Sequence, residues 1–179
     1  MAEAFINQVN RAVGIVTSSS NASIGIGLTW MSGISTAHVA IHDLVDNANF
    51  IAGTKVTLVG VSSVQLDRAS TNTVAATASN VSFLGPTTSY SSASATKSIL
   101  IGGTFANNTA ISVNLTVTVY DNSAETESQL AAKIPVPTGS SFVISDAGKT
   151  VLEGNDEVRV YCDTENAIDV NLSILKGVS

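Results

Sequence analysis

The chain has 179 residues, enough for one large domain or two small ones whose core needs no covalent staple. Only 12% of residues are charged, the formal net charge is −6, and the eight Lys and Arg residues are strewn singly, which argues against a nucleic-acid partner. The single cysteine, Cys162, rules out an internal disulfide, and no apolar run reaches the length of a membrane-spanning helix.

In chain order, residues 3–13 place Phe5, Ile6, Val9 and Val13 beside only Glu3 and Arg11, which reads as a short helix or extended arm that docks by an apolar face. The start, Met1-Ala-Glu-Ala-Phe-Ile-Asn-Gln, has neither the basic opening nor the apolar run of a secretory signal, so synthesis in the cytoplasm is expected. Thr17 to Ser23 is a loop-type cluster. Short β-favouring runs follow at Ile24–Trp30, Val39–Val45, Lys55–Val61 and Ser63–Asp67, separated by Ser-Gly, Asp-Asn and Ala-Gly punctuation. Residues 69–80 are small and polar, and read as a linker between two β units.

Beyond the linker, strands are predicted at Val81–Leu84, Ser98–Ile101, Ala110–Tyr120, Ala131–Val136, Ser141–Ile144, Lys149–Leu152, Val158–Cys162 and Ile168–Leu175, with a polar tract from Thr87 to Lys97. The clearest of them alternates Ile111, Val113, Leu115, Val117 and Val119 with Ser112, Asn114, Thr116, Thr118 and Tyr120. A period of two puts the aliphatic residues on a core and the hydroxyl and amide groups on the opposite face, toward water or a partner. Val158, Val160 and Cys162, and then Ile168, Val170, Leu172 and Ile174, repeat the pattern, which places Cys162 on an apolar face as a small buried hydrophobe. With turn signals every eight to twelve residues and no long helical period, the fold class is all-β: an antiparallel β-sandwich with an inserted or preceding small β module and a short N-terminal arm. The boundaries read as 1–16 for the arm, 17–75 for the module and 76–179 for the sandwich.

Candidate chemistry is thin. His38 and His42 lie four apart, but Val39 stands where a zinc-protease motif needs Glu, and in a strand Asp43 points away from them. No Gly-x-Ser-x-Gly elbow exists, and Gly139-Ser140-Ser141 reads as a turn. The acids Asp156, Glu157, Asp163, Glu165 and Asp169 lack EF-hand spacing and read as a solvated loop rim. Gly102-Gly103 and Gly25-x-Gly27 open no helix, so neither is a phosphate cradle. Five Asn-x-Ser/Thr sequons, at Asn21, Asn80, Asn107, Asn114 and Asn171, follow from a composition rich in these residues. No catalytic residue, metal site or cofactor is assigned. Sugar recognition leans on exposed aromatics, of which the chain offers Trp30, Tyr90, Tyr120 and Tyr161.

Two sets of residues carry a resemblance. Gly33-Ile-Ser-Thr-Ala-His-Val39 and Phe50-Ile-Ala-Gly-Thr-Lys-Val-Thr-Leu-Val-Gly-Val-Ser-Ser-Val-Gln-Leu-Asp-Arg-Ala-Ser-Thr-Asn-Thr73 resemble a small β module of phage virion and tail-associated proteins, with departures at Ala37, where Gly is usual, and at His38 to Asp43, a short insertion. Phe5-Ile-Asn-Gln-Val-Asn-Arg-Ala-Val-Gly14, Ile99-Leu-Ile-Gly-Gly-Thr-Phe-Ala-Asn-Asn-Thr109, Ile134-Pro-Val-Pro-Thr-Gly-Ser-Ser141, Val151-Leu-Glu-Gly-Asn-Asp-Glu-Val-Arg-Val160 and Ala167-Ile-Asp-Val-Asn-Leu-Ser-Ile-Leu175 resemble a small virion structural protein of marine and cyanobacterial tailed bacteriophages.

That resemblance implies a non-enzymatic virion protein, made in the host cytoplasm. It would be a head decoration or cement subunit, or else a neck or tail subunit. A tail-fibre module that binds a host-surface glycan or receptor is the competing reading. The implied partners are further copies of the chain and other virion proteins such as the major capsid, neck or tail proteins, with neither nucleic acid nor membrane. The residues expected to make the contacts are Phe5, Ile6, Val9 and Arg11 of the arm and the Ser112, Asn114, Thr116, Thr118 and Tyr120 face.

Overall fold

The computed structural model describes residues 3–19, 22–72 and 80–178, the side chains of 146–149 excepted. It is all-β: the described residues form fourteen strands and no helix. They fall into two compact units, Met1–Gly14 with Thr87–Ser179, and Ile15–Pro86.

The larger unit contains β1 (Ala4–Val13), β8 (Thr87–Ser91), β9 (Lys97–Asn107), β10 (Val113–Asp121), β11 (Thr126–Val136), β12 (Ser141–Leu152), β13 (Glu157–Cys162) and β14 (Ile168–Val178). One antiparallel sheet has the order β1-β14-β9-β12, the other β11-β10-β13-β8. The first, eighth, third and sixth strands of this unit thus make one sheet, and the fifth, fourth, seventh and second make the other. That interleaving is the strand order of an eight-stranded jelly roll, a sandwich of two nested Greek keys.

The alternation explains the sandwich. Val113, Leu115 and Val117 of β10, Val158, Val160 and Cys162 of β13, and Ile168, Val170, Leu172 and Ile174 of β14 are all buried, and with Leu100, Phe105 and Leu152 they form one core. Ile111, which begins the alternating run, lies outside β10 and is exposed. At the end of β9, the buried Asn107 side chain donates to the carbonyls of Ile111 and Val136 and accepts from Thr109, holding the exposed turn into β10.

Residues 4–13 are not a separate arm. They form edge strand β1, paired with β14 from Ala4↔Lys176 to Val13↔Ile168 with a bulge at Arg11 and Ala12. Val13 belongs to the core, and Ile6 packs against it. The strand ends at Gly14, whose φ is +137° and whose backbone lies so close to the Thr164 carbonyl that an added Cβ would sit 2.1 Å from that oxygen, so only glycine fits.

The smaller unit has β2 (Ile15–Ser19), β3 (Trp30–Ser32), β4 (Leu44–Asp46), β5 (Val56–Val59), β6 (Ser63–Leu66) and β7 (Val81–Gly85), in three-stranded sheets ordered β2-β7-β4 and β3-β6-β5. Its core gathers Met31, Ile34, Val45, Phe50, Val56, Val64, Leu66, Val81 and Phe83. The expected boundaries at 17 and 75 therefore move to 15 and 86. The cause is β7: Val81 and Phe83 bury fully in the small core while the strand pairs with β2 and β4. The 69–80 linker reading shifts with it. Ser70 is buried and donates to the Gly25 carbonyl, so the segment's start belongs to the module, and residues 73–79 lie outside the described residues.

Candidate interaction surfaces

The polar face of β10 is mostly not an open surface. Thr116 and Thr118 are buried, Tyr120 is partly buried, and only Ser112 and Asn114 are exposed. Register explains part of this, because Thr116 lies opposite Tyr161 and Thr118 opposite Arg159, both on β13 and both buried.

These side chains are tied together. The Thr118 hydroxyl and the Tyr161 hydroxyl both donate to Oε1 of Glu127 on β11, the latter at 2.8 Å. The Arg159 Nε donates to Oε2 of Glu157 at 2.7 Å, Thr88 donates to the same oxygen at 3.1 Å, and the guanidinium carbon stands 3.8 Å from the centroid of the Tyr120 ring. Burial and the adjacent Glu127 charge drive the Tyr161 phenol well above its ordinary range, so it remains a neutral donor. Asn114 is also occupied: its backbone N–H and its Nδ2 donate to the two carboxylate oxygens of Asp163. The network pins neighbouring strands together and leaves few groups on β10 to receive a partner.

Other residues that drew attention for their chemistry serve as structural parts. Asp156 is buried and its carboxylate accepts from the Asn122 and Glu153 backbone N–H groups, while Asp169 accepts from Ala12 N–H and Asn108. Cys162 is fully buried, and burial pushes its thiol pKa up to about 11, which suits a hydrophobe rather than a nucleophile. His38 and His42, expected on one strand face, instead occupy turns with φ of 66° and 77°. Among the described residues no three His, Cys, Asp or Glu side chains gather as a metal site would require.

The other sheet of the jelly roll is different. Along β1, Ile6 turns partly into the core, whereas Phe5 (76% exposed), Val9 (59%) and Arg11 face outward. Phe5 pairs with Leu175, Leu175 with Ile99, and Ile99 with Val151, so one register row carries four large apolar residues across the outer face of all four strands. A second row runs Val9, Asn171, Thr104 and Val143. Val143 and Val151 are each about half exposed. Between the rows lies a shallow depression of about 370 Å³, lined by Ile101, Gly102, Thr104, Val143, Asn171 and Ser173.

This face combines apolar relief with hydroxyl and amide groups, a composition suited to contact with another protein. The sequence offered Phe5, Val9 and Arg11 as contact residues on what it took for an arm, and did not offer Ile99, Val143, Val151 or Leu175. The signal was in the failures of alternation, Ile99-Leu100-Ile101 and Ile174-Leu175, where adjacent apolar residues leave one on each face.

Comparison of the chain with protein-family models, curated proteins and solved structures gave no match.

Proposed function

We propose that the protein is a non-enzymatic structural subunit of a tailed-bacteriophage virion, a head decoration or cement protein that works through protein–protein contacts. The observation that carries this reading is the exposed apolar face of the β1-β14-β9-β12 sheet, mounted on a jelly roll. Jelly rolls recur in viral capsid domains, an analogy of fold that supports the reading. A cement subunit needs a stiff scaffold and a broad contact surface, and both are features of this sheet. Its partners are copies of itself and a neighbouring virion protein, with the neck or tail as the alternative position. It is made in the host cytoplasm and added to the particle.

Electron microscopy of purified particles labelled with antibody to the chain tests the proposal. Label distributed regularly over the head is expected, label confined to the neck or tail assigns the alternative position, and unlabelled particles overturn the virion role.

A glycan- or receptor-binding module is the second reading, and one observation favours it. Trp30 is 48% exposed on β3 and lies in one register row with Gln65 and Leu58, an aromatic surface beside an amide as sugar sites require. Label only at the tail tip, with loss of cell binding in Trp30→Ala, would support it.

A further inference from the structure

We infer that β1 is a self-association edge: two copies join antiparallel through this strand, about a two-fold axis passing at Asn7, to make one continuous eight-stranded sheet. Among the described residues, strand β1 pairs on one side only, with β14. An unpaired edge is a template for another strand, and proteins ordinarily blunt it with lysine, proline, bulges or brevity. The other three edges of this unit are blunted. Strand β8 has five residues, β11 carries Lys133 and Pro135 and two register shifts against β10, and β12 loses its register between Ser145 and Thr150. From Ala4 to Asn10, by contrast, β1 runs in unbroken register and contains neither lysine nor proline.

The sequence of this strand is complementary to itself. Glu3 and Arg11 are the only charged side chains in residues 1–42, and they stand equally far from Asn7 on either side. An antiparallel pair centred on Asn7 brings Glu3 of each copy opposite Arg11 of the other, Phe5 opposite Val9, and Asn7 opposite its own mate. Phe5, Asn7, Val9 and Arg11 are all exposed, so none of these contacts competes with the subunit's core. Cross-strand pairs of this kind, opposite charges and large apolar residues, are what stabilise an antiparallel ladder. A two-fold axis closes the assembly at two copies and extends the apolar rows of one outer face into those of the next.

This inference deepens the assembly role proposed above by naming its first partner, a second copy, yet it is tested on the isolated protein. A chain that dimerises as described but never joins particles overturns the virion role alone. One that joins particles as a monomer overturns this inference alone.

The experiment is sedimentation analysis of the full chain with oxidative cross-linking. The wild type is expected to dimerise. Glu3→Arg or Arg11→Glu alone should raise the dissociation constant at least about fivefold, since each places like charges together twice per dimer, and the double swap should return it to within about twofold of the wild type. Opposite residues of an antiparallel pair have Cα atoms roughly 4.5–5.5 Å apart, within disulfide range, so Asn7→Cys should cross-link symmetrically. Phe5→Cys, whose mate would be displaced by about 13 Å along the strand, should not. Native Cys162 is buried and does not interfere. A monomer at every concentration, a double swap no better than the singles, or equal cross-linking at positions 5 and 7 would each overturn the inference.

Discussion

Tyr161 and Thr118 direct their hydroxyls at the same oxygen of Glu127, and this shared acceptor shows what alternation can and cannot say about a residue. The pattern assigns each side chain to a face; what lies beside it on that face depends on the neighbouring strands. Removing the phenol hydroxyl in Tyr161→Phe leaves the packing and deletes one charge-assisted donor, so a loss of about 1.5–3 kcal/mol in urea unfolding is expected, against almost none for Ser112→Ala, an exposed position just before β10. Equal costs would mean that the network does not pin the strands. Asp43 supplies a test by pH. Burial raises its pKa above the ordinary 3.8 despite the Ala40 N–H that its carboxylate accepts, so the folded state holds a proton that the unfolded state has released. Stability from this group is therefore fullest below 3.8 and falls as pH rises through the folded pKa. Asp43→Asn should gain on the wild type between pH 3.5 and 7, and a gain that shrinks over that interval would contradict the direction of the shift.

At the scale of elements, β1 is the strand the sequence misplaced. Phe5, Ile6, Val9 and Val13 do not keep a strict period of two, because the bulge at Arg11 and Ala12 shifts Val13 inward against the alternation set by Ile6. Reading the run as a docking arm followed from that break. Because Val13 is in the core and β1 closes one edge of the sheet, deleting residues 1–13 should cost at least about 3 kcal/mol and lower the melting temperature by roughly 10 °C or more. An unchanged melting point would restore the arm. Strands β10, β13 and β14 were legible because each sends every second residue, an aliphatic one or Cys162, into one core. Val117→Asp, mid-β10 and fully buried, should unfold the larger unit, as an unpaired buried carboxylate costs several kcal/mol. Val143→Asp, half exposed on the outer face of β12, should leave melting within about 0.5 kcal/mol of the wild type. Circular dichroism melts of the two variants would separate these outcomes, and similar behaviour would mean that the facing of one strand is reversed.

The whole molecule is a jelly roll with a second β unit inserted between its first two strands. The all-β class was readable from the missing helical periods, but the jelly-roll order was not. The order depends on which distant strands meet, such as β1 with β14 and β9 with both β12 and β14, and local alternation carries no information on that. The inserted unit was visible as a composition change, yet its last strand, β7, lay past the small polar stretch taken for a boundary. Function follows the same division. The expected contact residues lay on β1 and β10; Thr116 and Thr118 of β10 are buried, whereas Val143 and Val151 of β12 are exposed on the same sheet as Phe5 and Val9. In the proposed assembly role, the outer face of the β1-β14-β9-β12 sheet makes the contacts. The most direct measurement is the rebinding of purified protein to tailed-phage particles prepared without it, comparing the wild type with a Val143→Asp/Val151→Asp variant of equal melting temperature. Saturable binding of the wild type with at least tenfold weaker binding of the variant is the predicted result, and equal binding by the two, or no binding by either, would contradict it.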